Sequence, residues 1–362
     1  MSRPLKLILG LVVLQALALM VVLGITYWAS QTVLLRFSED IAARISRDAT
    51  AYTEGFLDPA NETAELTRRL VQAGMLDPGD RSGMAQYFLE HLRLRENLDG
   101  IYLGDRTGGF VYASRAPEPE PGPLRIKRIS TEPWREVTLE WYSDRLRLQD
   151  SRRDPDDDFD PRTRPWYEAA QAQNAAAWTK PYIFFTSQAP GITVSVPVAT
   201  DAGFAGVAGV DIKIEALSAF LESLDISPRG QAAIVAQTGD IIAHSDPDLL
   251  AGVAEGGGAF RTVAEGSDPI LTQAAAQIEG GLDTLFPGEI RLARFEAGGE
   301  IWIGAVLRLG LARTPWTVVT YLPEDDILAP LHSVRRIALL VSLAALAATA
   351  GLGFVYGRKV MG

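Results

Sequence analysis

The chain has 362 residues, 47% of them hydrophobic, with 45 acidic side chains against 34 basic ones and a formal net charge of −11. That length allows two or three domains, and the acidic balance argues against a nucleic-acid partner, which needs basic surface to meet phosphates. Lack of cysteine excludes disulfides, thiolate metal sites and a cysteine nucleophile, and the three histidines (His91, His244, His332) lie too far apart in sequence to predict a metal site.

Leu7 to Trp28 is almost wholly apolar, with Gln15 and Thr26 as interruptions, and Ile337 to Tyr356 carries no charge. Each run is long enough to cross a hydrocarbon core as a helix, which takes about 20 residues. The first is too long for the apolar core of a signal peptide and ends on the interfacial pair Tyr27-Trp28, so it reads as a retained anchor. Arg3 and Lys6 precede the first run, Arg358 and Lys359 follow the second, and all 45 acids fall between them. Basic tails stay in the cytoplasm. Residues 1–6 are therefore expected to be a cytoplasmic N-terminus, 7–28 and 337–356 transmembrane helices, and 29–336 an extracytoplasmic region, periplasmic in a diderm bacterium. Residues 357–362 read as the start of a cytoplasmic region that continues in a longer chain or is replaced by a partner.

After the first span, Val33, Phe37, Ile41, Ile45, Tyr52 and Phe56 recur at helical spacing with Glu39, Arg47 and Glu54 between them, predicting a long helix within 29–75. Asp58-Pro59 is expected to end or kink it. Leu66 to Ala73 and Gly83 to Leu94 predict further helix. The period then changes. Gly100–Gly104 and Phe110–Ser114 read as strands around an Asp105–Gly109 turn, and Pro117–Pro123 as a loop. Trp134 to Leu148 is expected to be helix, Asp154 to Asp160 a solvated acidic loop, and Arg164 to Ala177 a short helix. Tyr182–Thr186, Ile192–Ala199 and Ala205–Ile214 read as strands, the last two joined at Thr200–Gly203. Ala232–Ala236 and Ile241–Ser245 repeat the first strand–turn–strand, followed by strands at Glu289–Phe295, Ile301–Leu307 and Trp316–Tyr321. The pattern predicts an α+β fold: a long N-terminal helix beside two tandem antiparallel-sheet modules, 76–222 and 223–334.

Chemistry concentrates between Arg164 and Asp211. Arg164-Pro165-Trp166-Tyr167 puts a guanidinium, suited to bidentate carboxylate binding, beside an indole and a phenol. Tyr182 adds a second phenol from a strand, and Asp211 stands in a strand of small and branched residues, where a carboxylate needs a partner. One cation, one carboxylate and amphipathic rings suit a small polar or zwitterionic ligand. The structural alternative pairs Arg164 with Asp211 or the acidic loop and leaves the rings as core.

The order Arg-Pro-Trp-Tyr, Trp178-Thr179-Lys180-Pro181-Tyr182, Val196-Pro197-Val198 and Gly209-Val210-Asp211-Ile212 resembles the double Cache family of extracytoplasmic sensor domains, found in bacterial chemoreceptors, histidine kinases and cyclic-nucleotide enzymes. The resemblance covers about 30–335. It implies two PAS-like modules, a long signalling helix, a membrane-distal module that binds the ligand, a homodimer, and a cytoplasmic signalling output. It also implies that Arg164, Trp166 and Tyr167 hold a ligand carboxylate and that Tyr182 and Asp211 take an amino group. Phe159 stands where the amino-acid-binding branch has a tyrosine, and Phe184 where it has an amine-binding aspartate. The carboxylate clamp is kept and half of the ammonium site is gone. This tilts the implied ligand, a small carboxylate-bearing amino acid or related organic acid, away from an α-amino acid and toward a carboxylate with less need for ammonium pairing or a bulkier apolar ligand against Phe184, a zwitterion held by Asp211 alone being the other option.

Other signals carry less. The 154–160 acids lack the glycine and glutamate of a calcium loop, Gly256-Gly257-Gly258 lacks a phosphate-loop ending, and His244-Ser245-Asp246 reads as a surface turn. No metal, cofactor or catalytic set is implied, so the chain is read as a non-enzymatic sensor. A ligand-free dimerisation module and a membrane-tethered hydrolase are the competing readings.

Overall fold

The computed structural model describes residues 3–116, 119–250, 260–265, 268–277, 285–311, 314, 316–328, 340–345, 347–349, 351 and 355, with most side chains up to residue 35 left out. Helix α1 (Arg3–Gln72) is a continuous 70-residue rod, about 105 Å long at 1.5 Å per residue. It runs through Pro59, against the expectation of an end or kink at Asp58-Pro59. Proline removes one intrahelical bond, and tertiary packing on both sides compensates: Leu57, Ala60 and Ala64 are fully buried. Buried threonines satisfy themselves on the helix, Thr50, Thr53 and Thr67 donating to the carbonyls of Ser46, Ala49 and Thr63 at 2.8 Å. The predicted span 7–28 lies in α1, but most of its side chains, most of 337–356 and all of 357–362 fall outside the described residues. Among the described residues no helix is long and apolar enough to cross a membrane.

Helix α2 (Arg81–Leu94) is N-capped by Asp80, whose carboxylate accepts from the Ser82 and Gly83 amides. It covers the first sheet, built from β1 (Gly100–Asp105), β2 (Phe110–Arg115), β3 (Leu124–Ser130), β4 (Glu136–Tyr142), β5 (Leu148–Arg153), β6 (Ala177–Trp178), β7 (Tyr182–Ile183), β8 (Pro190–Thr200) and β9 (Gly203–Lys213). Helices α3 (Pro165–Gln173) and α4 (Ile214–Glu222) flank β6 and follow β9. A second sheet holds β10 (Gln231–Ala236), β11 (Ile241–His244), β12 (Ile290–Ala297), β13 (Glu300–Arg308) and β14 (Trp316–Pro323), with α5 (Pro269–Ala276) ahead of β12. Every pairing is antiparallel. The first sheet runs β5-β4-β3-β2-β1-β9-β8-β6, with β7 also on β8; the second runs β11-β10-β14-β13-β12. From β2 onward the two orders are the same, and β3 to β5 extend the first. This is the expected α+β architecture with two sheet modules along one helix. The α1 rod packs on β8 and β9 of one sheet and on β12, β13 and β14 of the other.

Three local expectations are corrected. Residues 134–148 are not helix: they form β4 and the turn into β5, with Leu146 in the left-handed region at φ 54°. Leu139, Tyr142 and Leu146 mimic helical spacing, but the segment is rich in β-prone side chains and pairs as a strand, with Val137 and Trp141 buried on one face. The 154–160 loop is not merely solvated. The Asp157 side chain is 7% exposed and pairs with Lys127, itself 1% exposed on β3, and with Arg135 at 3.2 Å. His244 is not on a surface turn: it is 0% exposed on the inner face of β11.

Removing one partner of the Lys127–Asp157 pair tests this correction asymmetrically. Asp157→Ala takes away the carboxylate that the buried ammonium hydrogen-bonds, leaving it against the Phe159 and Phe185 rings, and should cost about 3–5 kcal/mol. Lys127→Met leaves Asp157 with Arg135 and should cost clearly less. Urea unfolding of both variants reads the difference, and equal losses would contradict the account.

Candidate functional site

The cleft forms on the face of the first sheet away from α1, under α3. Its floor is made by a run of close approaches. Tyr102 on β1 lies over Gly209 on β9, its cross-strand neighbour; a Cβ at Gly209 would sit 2.2 Å from the ring. Tyr112 lies in the same way over Gly100, where a Cβ would be 2.4 Å away, and Phe184 over Gly191, at 1.9 Å. Glycine in these strands is therefore a demand for ring space. Trp166, brought down by the first turn of α3, packs on Tyr102 with ring centroids 4.7 Å apart.

Asp211 is at the centre, 4% exposed. Its Oδ1 accepts from the Tyr102 hydroxyl at 2.6 Å and from Thr193 Oγ1 at 2.5 Å. Since Thr193 spends its proton there, the Tyr182 hydroxyl donates to Thr193 Oγ1, at 2.7 Å. Burial pushes the Asp211 carboxyl up to about 8, outweighing the lowering by the Thr193 and Tyr102 hydrogen bonds. Burial likewise raises the phenols of Tyr102 and Tyr182, with Asp211 adding to the effect.

Arg164 lies across the cleft, half-buried at the residue before α3. Its guanidinium stands 5.8 Å from the Phe159 ring centroid and 5.7 Å from that of Phe185. It has no ion pair or side-chain hydrogen bond among the described residues, so neither Asp211 nor the acidic loop takes it. The cleft encloses about 310 Å³ of empty space including its mouth, of which only about 30 Å³ is wide enough for the centre of a water molecule. That is room for one or two waters. Phe184, Phe185 and Thr186 of the 184–189 turn form one wall of the cleft.

Of the predicted residues, Arg164, Trp166, Tyr182, Phe184, Phe159 and Asp211 all line this cleft. Tyr167 does not: its ring meets Phe204 and its hydroxyl donates to Asp105 O at 3.4 Å. Sequence reasoning missed Tyr102, Tyr112, Phe110, Phe185 and Thr186, which also line the cleft, and Thr193, which joins Tyr182 to Asp211. The glycines at 100, 191 and 209 were the available signal for the first two rings and for Phe184.

The Cache domain family model matches residues 29–331. The chain belongs to the Cache domain family. Among curated relatives, the methyl-accepting chemotaxis protein PscA of Pseudomonas syringae pv. tomato is 39% identical over 93 residues, 26% of this chain and 15% of that protein. Adenylate cyclase 1 of Rhizobium meliloti is 24% identical over 280 residues, 73% of this chain and 40% of that protein. The chain thus spans a minor part of these relatives. Among solved structures, the ligand-binding domain of Pseudomonas aeruginosa PctB in complex with L-Arg covers 86% of this chain and 98% of its own, with TM-score 0.53 and 19% identity. That of Pseudomonas fluorescens CtaA with L-isoleucine covers 83% and 97%, with TM-score 0.51 and 19% identity. At these identities the likeness is one of fold.

Gly209→Ala tests the Cache cleft's floor. The new methyl forces the Tyr102 ring off Asp211, so overpacking and a lost buried hydrogen bond together should cost about 2–4 kcal/mol. Tyr102→Phe loses only the hydrogen bond and should cost about 1–3 kcal/mol. Chemical denaturation ranks the two; a neutral Gly209→Ala would refute the packing argument.

Proposed function

We propose that the chain is the extracytoplasmic sensing region of a bacterial transmembrane receptor. In this reading it binds a small carboxylate-bearing molecule, an amino acid or related organic acid, in the distal module (76–222) and passes a conformational change across the membrane. The observation that carries it is the Arg164 guanidinium, half-buried, without an ion pair among the described residues and facing the cleft. A carboxylate is the partner for which its planar fork is suited. The match to chemotaxis receptors and to domains solved with amino acids supports the same reading.

The proposal keeps 7–28 and 337–356 as membrane spans, about 29–336 in the periplasm, 29–75 as the signalling helix, 223–334 as the proximal module, and a homodimer through the long helices. A cytoplasmic output lies in a continuation or partner. Signal transfer follows from the sheet. Asp211 and Thr193 sit on β9 and β8, and the other face of these strands packs on α1 through Ile192, Val194, Val210 and Ile212, all 0% exposed. A ligand that pulls Asp211 toward Arg164 bends the strands that hold the rod, and it shifts the receptor only as far as it prefers that arrangement.

Arg164→Ala should cost a carboxylate ligand about 3 kcal/mol, roughly a hundredfold in Kd. Thermal-shift screening of amino acids and organic acids, followed by calorimetry on the wild type and the variant, reads this. A ligand bound equally well by both would defeat the proposal.

Acidity separates the ligand classes. The folded-state value of Asp211, about 8, stands above its ordinary 3.8. The protonated carboxyl therefore favours the fold, a contribution complete below the ordinary value and lost as pH rises through about 8. An ammonium needs the ionised form, so affinity for an amino acid should rise roughly tenfold from pH 6 to 7 and level off above 8, with proton release on binding. A carboxylate without an amine should show no such rise. Calorimetry at several pH values in two buffers of different ionisation enthalpy distinguishes them.

A further inference from the structure

The shared strand order lets the two modules be aligned by register. On β1, Gly100 pairs with Asp211 of β9, and on β10, Gln231 pairs with Tyr321 of β14. Both Asp211 and Tyr321 lie three residues before the helical segment that follows their strand. Two residues along, Tyr102 pairs with Tyr112 on β2, and Ala233 with His244 on β11. Helix α3 is preceded by Arg164 with Pro165 in its first turn; α5 is preceded by Asp268 with Pro269 in the same place. Tyr321, His244 and Asp268 thus occupy the positions of Asp211, Tyr112 and Arg164.

Their chemistry is inverted. Where the distal module has an unpaired cation, the proximal one has a carboxylate with all its needs met. Asp268 Oδ1 accepts from the Ile270 and Leu271 amides at 2.8 and 3.1 Å. Its Oδ2 accepts from the Tyr321 hydroxyl and lies 3.5 Å from His244 Nε2. The Asp246 amide donates to His244 Nδ1 at 2.8 Å, so the neutral ring carries its proton on Nε2 and donates to Tyr321 Oη at 2.6 Å. Gln231 Oε1, 2.8 Å from the same hydroxyl, is a second acceptor within its reach. A directed chain of donors runs from Asp246 through His244 and Tyr321 and ends on Asp268. All three side chains at its core are buried.

We propose that the proximal module is a self-occupied copy of the distal site, in which the Asp268 carboxylate takes the place of an external carboxylate ligand. The module is built to hold a carboxylate and is already holding its own, so it takes no free metabolite. The inference rests on the reading of the distal cleft as a carboxylate site only for its name; the chain of donors ending on Asp268 stands without it.

Asp268→Gly removes an acetate-sized group while keeping a residue tolerated at a helix N-cap. In the full chain, this variant should melt several degrees below the wild type. Sodium acetate at tens of millimolar should recover much of that loss, and sodium chloride at the same ionic strength should not. Adding Tyr321→Phe should abolish the recovery, and adding Arg164→Ala should leave it intact, which separates this site from the distal one. Acetate raising wild type and Asp268→Gly alike, or no loss on Asp268→Gly, would overturn the proposal. Should Asp268→Gly not fold, Asp268→Asn and Tyr321→Phe serve instead. Their melting losses should be non-additive, the double variant melting no lower than the worse single, whereas additive losses would refute a shared interaction.

Discussion

A guanidinium and a carboxyl face one another across the distal cleft without meeting, and the arrangement of the sheet follows from keeping them apart. Asp211 is held down by Tyr102 and Thr193, both of which hydrogen-bond to the same carboxyl oxygen. Arg164 is held up by the turn into α3 and by the rings of Phe159 and Phe185 beneath it. Burying an ion without a partner is costly, and each group avoids that cost differently. Asp211, deeply buried, takes a proton. Arg164, half-buried, keeps its charge beside solvent and aromatic faces, where cation–π attraction replaces part of its hydration. An anion entering the cleft would find the cation unpaired and the acid neutral, so the empty state carries no internal ion pair that a guest must first break.

The rings and glycines are the means of that separation. Tyr102 reaches Asp211 only because Gly209 leaves the sheet bare beneath it, and Phe184 closes the wall only because Gly191 does the same. These dependences are between strands, and that decides what was legible in the sequence. Arg164, Trp166, Tyr182 and Asp211 stood out through motif order. Tyr102 and Thr193 did not, because which residues face one another across β1, β9 and β8 depends on register, and a one-residue slip would turn each to the opposite face. The same limit explains His244, whose Ser-Asp neighbours look like a turn while its own side chain points into the second sheet's core. The fold class, the β1–β2 and β8–β9 pairs and the strands of the second sheet were legible from alternation and turn residues, whereas β3, β5 and β6 were not anticipated. The error at 134–148 came from a segment whose apolar spacing satisfied both periods, with pairing to β3 and β5 deciding for strand.

One rod serves both sheets. Its buried face is small and hydroxylic, with Ala42, Ala60, Ala64, Thr53 and Thr67 at or near zero exposure, so the strands approach it closely. Thr53 and Thr67 bond back to the helix, while the buried Ser46 Oγ has no partner among the described residues. Close packing of this kind transmits displacement, since interiors are dense and yield little. In the proposed receptor a change at β8 and β9 has nowhere to dissipate before reaching α1.

The second sheet makes the asymmetry between the modules physical. Both have a strand order in which the first and last strands lie side by side under a short proline-started helix, and both place polar side chains at that junction. In the first, the helix start contributes a cation and the strand an acid that is neutral when buried, so the junction is unfinished without a guest. In the second, the helix start contributes the acid, and the strands contribute a phenol and an imidazole already proton-ordered to receive it. On the proposals above, the junction of the first sheet is completed by a guest, and that of the second sheet is complete within the chain, on the same α1 helix.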